Sequence, residues 1–491
     1  MSGAAVSGVQ SAAFALDEVL AATSGELAAL GAHARFAGVT TDSRSVRSGE
    51  VFVAIRGDTH DGHGFVPDAV RRGAGAVVVE RGYWNDCTAD AAGERAGCTV
   101  VVVRDSLAAL GDLAAFHRRR HRPRVVAITG SNGKTTTKEM LAAILERALG
   151  AGGVLRTTGT QNNLVGLPLT LLRLGDSERA AILELGMNGP GEIWRLAEIA
   201  LPDVGLVTCV APAHLEGLGS IHGVAEAKAE LYRRLRPSAT AVVNADDPLV
   251  TASARAFPGR RVTFTADAAA APGADVTATA IVDHGLDGTE FHLVVAGAEA
   301  PVRLAVPGRH NVSNALAAAA AAHALDVGLD AVRSGLEAFQ PPGMRMEVTQ
   351  LPTGVTVLND AYNANPASMA AALRTLAASR GRRRLAALGE MRELGTESER
   401  AHRELGATAA AAGLDGLFLL GDHAETVRAG AETAGMPLER IHVAASHDEL
   451  AARLRAACQP GDLLLLKGSR GAAMEEVLRR LTSDVSGEPT P

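Results

Sequence analysis

The sequence predicts an α/β protein of three domains built on mostly parallel sheets. Three observations carry that prediction. Short apolar runs alternate with alanine-rich helical stretches, the pattern of strands joined by crossover helices. One run, Val125-Val126-Ala127, feeds into a glycine-rich turn, ITGSNGKTTT, at 128–137. The chain's 491 residues exceed what one core accommodates, and strong breaks fall at Pro123 and at Gln340-Pro341-Pro342-Gly343. The expected domains are 1–116, 117–342 and 343–491.

The first domain is expected to be an α/β unit. It contains VTTDSRSVRSGEVFVAIRG and then DGHGF. Thr41, Asp42, Ser43 and Arg44 form a polar turn with one cation, suited to a diphosphate or a nucleotide base. A plain surface turn fits their composition equally well. The basic run HRRRHRPR at 117–124 reads as a solvated helix end and linker.

The second domain opens with the glycine-rich turn. Thr129, Gly130, Ser131, Asn132 and Gly133 lead into Lys134, Thr135 and Thr136. Such a turn aims backbone N–H groups inward and suits nucleotide phosphates. Lys134 can reach the β/γ-phosphates, and Thr135 offers a hydroxyl to Mg²⁺. The spacing is G-x-x-G-K-T, shorter than the common consensus, which has a glycine where this chain has Ile128. A strand before it and a helix at 136–149 supply the context that the motif needs. Further strands are expected at 181–183, 204–210 and 241–243, and a loop at 267–275. Glu184 ends one strand, facing the crevice of a parallel sheet. It suits a second Mg²⁺ ligand, or simply solvent. His214 follows the next strand end, where a hydrogen-bonded structural histidine is the commoner case. Lys228, on a helix, reads as a solvated lysine. Asn244 to Asp247 fit an Asx-turn or helix cap as well as a ligand contact. Asn311 and Asn314 share a helical face and suit a purine edge, although a helix cap is the simpler use.

The third domain, with strands at 355–358, 385–388, 417–420 and 463–466, reads as a smaller doubly wound, Rossmann-like unit. Asp360, at a strand end, could bind ribose hydroxyls. The tail at 483–491 has the composition of a disordered segment.

Composition excludes several classes. The net charge of -7 gives no basic excess for nucleic acid. Aromatics are too few for a stacking platform. The longest uncharged apolar stretch, at 315–322, is too short to cross a bilayer and reads as a packed helix. Four scattered cysteines without metal or redox spacing fit a reducing cytoplasm, and MSGAAVSGVQ lacks the basic start of a secretory signal.

Together these pieces resemble the Mur ligases, the ATP-dependent amide-forming enzymes of peptidoglycan precursor synthesis. The resemblance spans almost the whole chain. It rests on TDSRSVRSGEVFVAIRG, APAHLEGLGS, NDAYNANPASM, LGEMRELG and KGSRGAAMEEV. The motifs are most similar to the branch that adds D-alanyl-D-alanine to UDP-N-acetylmuramoyl-tripeptide. The sibling that adds the third amino acid carries DNPR where this chain reads YNANP. Folylpolyglutamate synthase shares the ATP core but lacks this kind of first domain.

The resemblance implies roles that the residues alone do not. Thr41 to Arg44 would hold UDP. Lys134 and Thr135 would hold phosphate and Mg²⁺, with Glu184 and His214 at metal positions. Lys228 matches a lysine that is carbamylated in relatives, where it approaches a second Mg²⁺. Asn311 and Asn314 match adenine contacts, Asp360 a ribose contact, and Arg345 a residue near the phosphates. Asn163, Tyr362 and Asn363 fall on the substrate side, and Lys467, Ser469 and Arg470 face the incoming dipeptide. The implied protein is a cytoplasmic monomer that consumes ATP and forms an acyl phosphate, serving cell-wall synthesis, cell shape and division. The competing reading from another class is a P-loop switch or small-molecule kinase, which would make no amide.

Overall fold

The computed structural model describes residues 12–57, 59–86 and 97–483. The first eleven residues, Cys87 and the tail past Ser483 lie outside them.

The first domain carries a five-stranded sheet ordered Glu26–Ala29, Thr99–Val103, Ala76–Glu80, Val51–Val53, Val39–Thr40. Its first pair is antiparallel and the others parallel. The strands Val51–Val53 and Thr99–Val103 are buried throughout, as β-branched runs covered on both faces should be.

Helix Ser106–Arg120 leads out of this domain, capped by the Asp105 carboxylate, which accepts from the Ala108 N–H at 2.9 Å. Its basic end is only partly the solvated linker that its charge suggests: Arg119, Arg122 and Arg124 are exposed. His117 and Arg118 are buried. His117 Nε2 meets the Leu174 carbonyl at 2.9 Å. Arg118 donates to the carbonyls of Ala200 at 3.2 Å and His121 at 3.0 Å, and lies 3.7 Å from Asp203. The guanidinium satisfies backbone carbonyls of the second domain, a use that a charge count cannot reveal.

The second domain holds a nine-stranded sheet. Strand Arg124–Thr129 lies between Ala180–Glu184 and Val204–Val207, all parallel. The expected strands are present, with Thr240–Asn244 and Arg260–Thr265 continuing the row. Two elements were not expected: the short edge strand Val154–Arg156, and an extension formed by Val276–Asp283, Thr289–Val295 and Ala298–Leu304, with antiparallel pairings. Residues 315–322 lie fully inside helix His310–Ala324 and are all buried. Small side chains let that helix approach the sheet closely.

One apolar core runs through both domains. Phe14, Val51, Val78 and Leu110 share it with Val125, Leu183 and Leu196. The third domain has its own two clusters, one on each face of its sheet. That sheet is ordered Glu347–Gln350, Thr356–Asp360, Leu463–Lys467, Arg384–Leu388, Gly416–Leu420, Ile441–Ala444. All neighbours except the first pair are parallel. Helices Ser398–Ala411 and Ala424–Thr433 touch through glycines. A Cβ on Gly406 would stand 2.0 Å from the Val427 carbonyl, and one on Gly430 2.0 Å from that of Arg403. The chain enters this domain through Pro341-Pro342-Gly343, followed by left-handed Met344 (φ 61°) and Met346 (φ 52°).

Candidate active site

The strand order reverses around Arg124–Thr129, so a crevice opens past its carboxyl end. Register sets what flanks it. Glu184 pairs with Ile128 on one side and Val207 with Thr129 on the other. The turn that follows is built for close approach. Gly130 has φ 144°, and a Cβ there would lie 1.9 Å from Thr208 Oγ1. Gly133 (φ 82°) opens helix Lys134–Leu149 with no side-chain cap, which leaves its first N–H groups to a ligand.

Lys134 Nζ donates to the Gly130 carbonyl at 2.7 Å. Burial pushes its amine down, and the Glu184 carboxylate pulls it back up. Glu184 is buried rather than solvated. Its Oε2 accepts from Thr135 Oγ1 at 3.2 Å. Its Oε1 lies 3.2 Å from Lys138 Nζ yet makes no hydrogen bond. A buried carboxylate oxygen with an uncommitted lone pair, beside a threonine hydroxyl, fits a hard cation. Among the described residues no three His, Cys, Asp or Glu side chains form a closed metal cage. Mg²⁺ takes one or two carboxylates and fills its remaining positions with water and phosphate oxygens.

Lys228 is not a solvated lysine. It is 2% exposed, and burial with the nearby Lys134 charge pushes its amine down to about 7. His214 adopts a left-handed conformation, and its Nδ1 lies 2.6 Å from Glu393 Oε2 of the third domain. That contact holds the Glu393 carboxyl below its ordinary range.

A cleft of about 590 Å³ joins the second and third domains. Ser131 through Thr136, Glu184 and His214 line one side. Asn311 and Asn314 line it too, with Asn314 Nδ2 donating to Asn311 Oδ1 at 3.0 Å. Neither is the cap residue of its helix, which is Arg309. Across the cleft stand Arg345, stacked 3.9 Å over the Tyr362 ring, then Asp360 and Asn363, with Lys467, Ser469 and Arg470 beside them. Lys467 is buried and ion-paired to Asp360, and its amine also donates to the Asn363 carbonyl at 2.9 Å. The Ser469 hydroxyl is buried without a partner.

Other expected residues sit elsewhere. Thr129 is buried at the end of its strand, and neither it nor Gly130 lines the cleft. Asn163 Oδ1 accepts from the Gly166 N–H at 2.8 Å, at the start of helix Gly166–Leu171, while its neighbour Asn162 lines the cleft. Asp247 caps helix Pro248–Ala254, and Asn244 binds the Thr208 carbonyl at 2.7 Å. Thr41 to Arg44 form a turn of the first domain outside the lining of this cleft, with Ser43 buried, Thr41 and Asp42 half-buried and Arg44 exposed. There Arg44 clamps Asp42 and lowers its carboxyl to about 2.

Besides Asn162, sequence reasoning missed further site residues. Lys138, one helical turn after Lys134, binds Glu139, Glu184 and the Thr157 carbonyl; the four-residue spacing was a usable signal. Asn365 exchanges amide hydrogen bonds with Asn132 of the phosphate turn at 2.8 and 3.3 Å. Arg392 and Glu393 lie within LGEMRELG, one of the motifs that carry the resemblance, but the sequence assigns no role to either.

Comparison with known proteins matches this geometry. The Mur ligase family catalytic domain matches residues 35–118, the Mur ligase middle domain 128–322, and the Mur ligase glutamate ligase domain 344–470. The UDP-N-acetylmuramoyl-tripeptide–D-alanyl-D-alanine ligase of Escherichia coli K12 is 40% identical, covering 90% of this chain and 93% of that protein. This chain belongs to the Mur ligase family. The ligase of the same name from Bacillus subtilis is 33% identical, with 90% of the Mur ligase described here and 93% of its own length covered. Among solved structures, MurF from Acinetobacter baumannii matches with TM-score 0.86 and 32% identity, covering 96% and 99% of the two chains. MurF from Thermotoga maritima in complex with ADP gives 0.78 and 28%, covering 91% and 97%.

Proposed function

We propose that this Mur ligase joins D-alanyl-D-alanine to UDP-N-acetylmuramoyl-tripeptide, converting ATP to ADP and phosphate, in peptidoglycan precursor synthesis. The observation that carries this reading is the shared cleft. A phosphate-binding turn, a buried carboxylate and a cationic wall from a second domain face one volume. The names of the relatives supply the substrates.

A carboxylate has no leaving group good enough for an amine to displace. Transfer of the γ-phosphoryl group to the tripeptide's terminal carboxylate supplies one. The dipeptide's neutral amine then attacks the acyl carbon, phosphate departs, and the amine nitrogen loses its proton. The turn's N–H groups and Lys134 hold the phosphates, Lys134 exchanging the Gly130 carbonyl for a phosphate oxygen. Thr135 and Glu184, with His214, would hold Mg²⁺, which supplies charge neutralisation for phosphoryl transfer when bound. Asn311 and Asn314 suit adenine. Asp360 suits the ribose, with Lys467 fixing its carboxylate. Arg345 stands near the phosphates, its plane held by Tyr362. Ser469 and Arg470 suit the dipeptide, and Thr41 to Arg44 the UDP end. Lys228 is read as carbamylated: its neutral amine adds CO₂ and releases a proton. Among the described residues no helix is long and apolar enough to cross a membrane. A monomer working in the cytoplasm completes the proposal.

The test is ADP release from purified protein. It should require both UDP-tripeptide and D-alanyl-D-alanine, and neither meso-diaminopimelate nor lysine should replace the dipeptide. Lys134→Ala should reduce it by about 10²-fold or more. ADP release that ignores the amine substrate would refute the ligase reading.

A further inference from the structure

Glu393 belongs to the third domain but meets His214 of the second, with 2.6 Å between Oε2 and Nδ1. Both residues adopt left-handed backbone conformations, His214 at φ 55° and Glu393 at φ 63°. Such strain persists where the surrounding structure imposes it. The surroundings of Glu393 are rigid. Met391 and Leu394 on either side are buried in the third-domain core. The Met391 N–H donates to the fully buried His402 Nε2 at 3.0 Å, and the Ser469 N–H to the Glu390 carbonyl at 3.0 Å. On the facing side, Leu215 packs against both the joint core and the third-domain core. The Glu216 N–H also reaches the Glu393 carbonyl, at 3.4 Å.

A carboxylate accepts and cannot donate, so the shared proton sits on His214 Nδ1. In the neutral ring the other nitrogen, Nε2, then carries the lone pair. An imidazole that ligates a metal through one nitrogen is commonly oriented by a carboxylate on the other. We infer that Glu393 is a positioning residue: it fixes the His214 tautomer and ring orientation for cation binding, and it does so only while the third domain is docked. The inference rests on the reading of His214 as a cation ligand. It adds that this ligand is completed from another domain, so cation affinity and domain docking are coupled. By linkage, a cation that binds the oriented imidazole more tightly must also favour the docked arrangement.

The test uses the full chain with Mn²⁺, a non-hydrolysable ATP analogue and the UDP-tripeptide. Electron spin-echo spectroscopy should detect ¹⁴N coupling from a directly bound imidazole, absent in His214→Ala. Glu393→Ala should lose most of that coupling and raise the Mg²⁺ requirement of ADP formation by about 10-fold. Its kcat at saturating Mg²⁺ and its melting temperature should change little. Glu393→Gln keeps an accepting oxygen and should recover part of both signals. Full coupling and an unshifted Mg²⁺ titration in Glu393→Ala would overturn the role of Glu393 while leaving His214 a ligand. Coupling absent from the unmodified protein would overturn the ligand reading, and this inference with it.

Discussion

At the residue scale, charge and burial decide what each side chain can do. Glu184 is 2% exposed, with one oxygen on Thr135 and the other 3.2 Å from Lys138 Nζ without a hydrogen bond. Glu184→Ala should therefore raise the Mg²⁺ concentration needed for half-maximal ADP release by about 10-fold; an unchanged titration would remove it from the site. Lys228 offers a sharper case. Its amine, lowered to about 7, is protonated below that pH and neutral above it. Only the neutral form adds CO₂. Activity in CO₂-depleted buffer should therefore respond to bicarbonate more strongly at pH 8 than at pH 6, and Lys228→Arg should abolish the response. A ¹³C carbamate resonance from labelled bicarbonate provides the direct measurement. The P-loop residues were legible because their spacing is the mechanism. Lys228 was not, because its helix carries other charged residues and sequence does not show which one faces inward.

At the element scale, the parallel strands were legible because strands covered on both faces are near-continuous apolar runs. The extension at 276–304 was not. Its strands mix polar and apolar residues, and one face of much of it meets water. The helix contact at Gly406 and Gly430 was equally hidden, since only the fold brings the two together. That contact makes a prediction. Gly406→Leu places side-chain atoms where the Val427 carbonyl and Ala431 N–H already stand. Overpacking of this kind should cost about 1–3 kcal/mol, read as a lower denaturant midpoint for the third domain, while Ser398→Ala nearby should have a smaller effect.

At the scale of the whole molecule, the junction of the first two domains sets a pH limit. Burial pushes the His117 imidazole down to about 4 from an ordinary 6.5. Between those values the unfolded chain binds a proton that the folded chain refuses. This contribution is intact above pH 6.5 and is lost as pH falls towards 4, a difference of about 3 kcal/mol. His117→Gln can still donate to the Leu174 carbonyl and does not titrate. Its melting temperature should fall less than that of the unmodified protein between pH 6.5 and 4. The three-domain order was legible from breaks and motifs. The tight seam at Arg118 was not, because a run of arginines looks the same whether it faces water or backbone carbonyls. Substrate capture is a prediction at this scale too. Small-angle scattering should show a smaller radius of gyration with ATP analogue and UDP-tripeptide than with neither.

The core that continues from Phe14 and Val51 into Val125 and Leu183 has a mechanical consequence. A hydrocarbon interior cannot shear without opening voids, so the first two domains travel as a single block. Freedom to swing is left to the segment around Pro341-Pro342-Gly343. A spin-label pair across the Ser106–Arg120 seam should hold one distance whatever ligand is present, whereas a pair spanning that proline segment should report two.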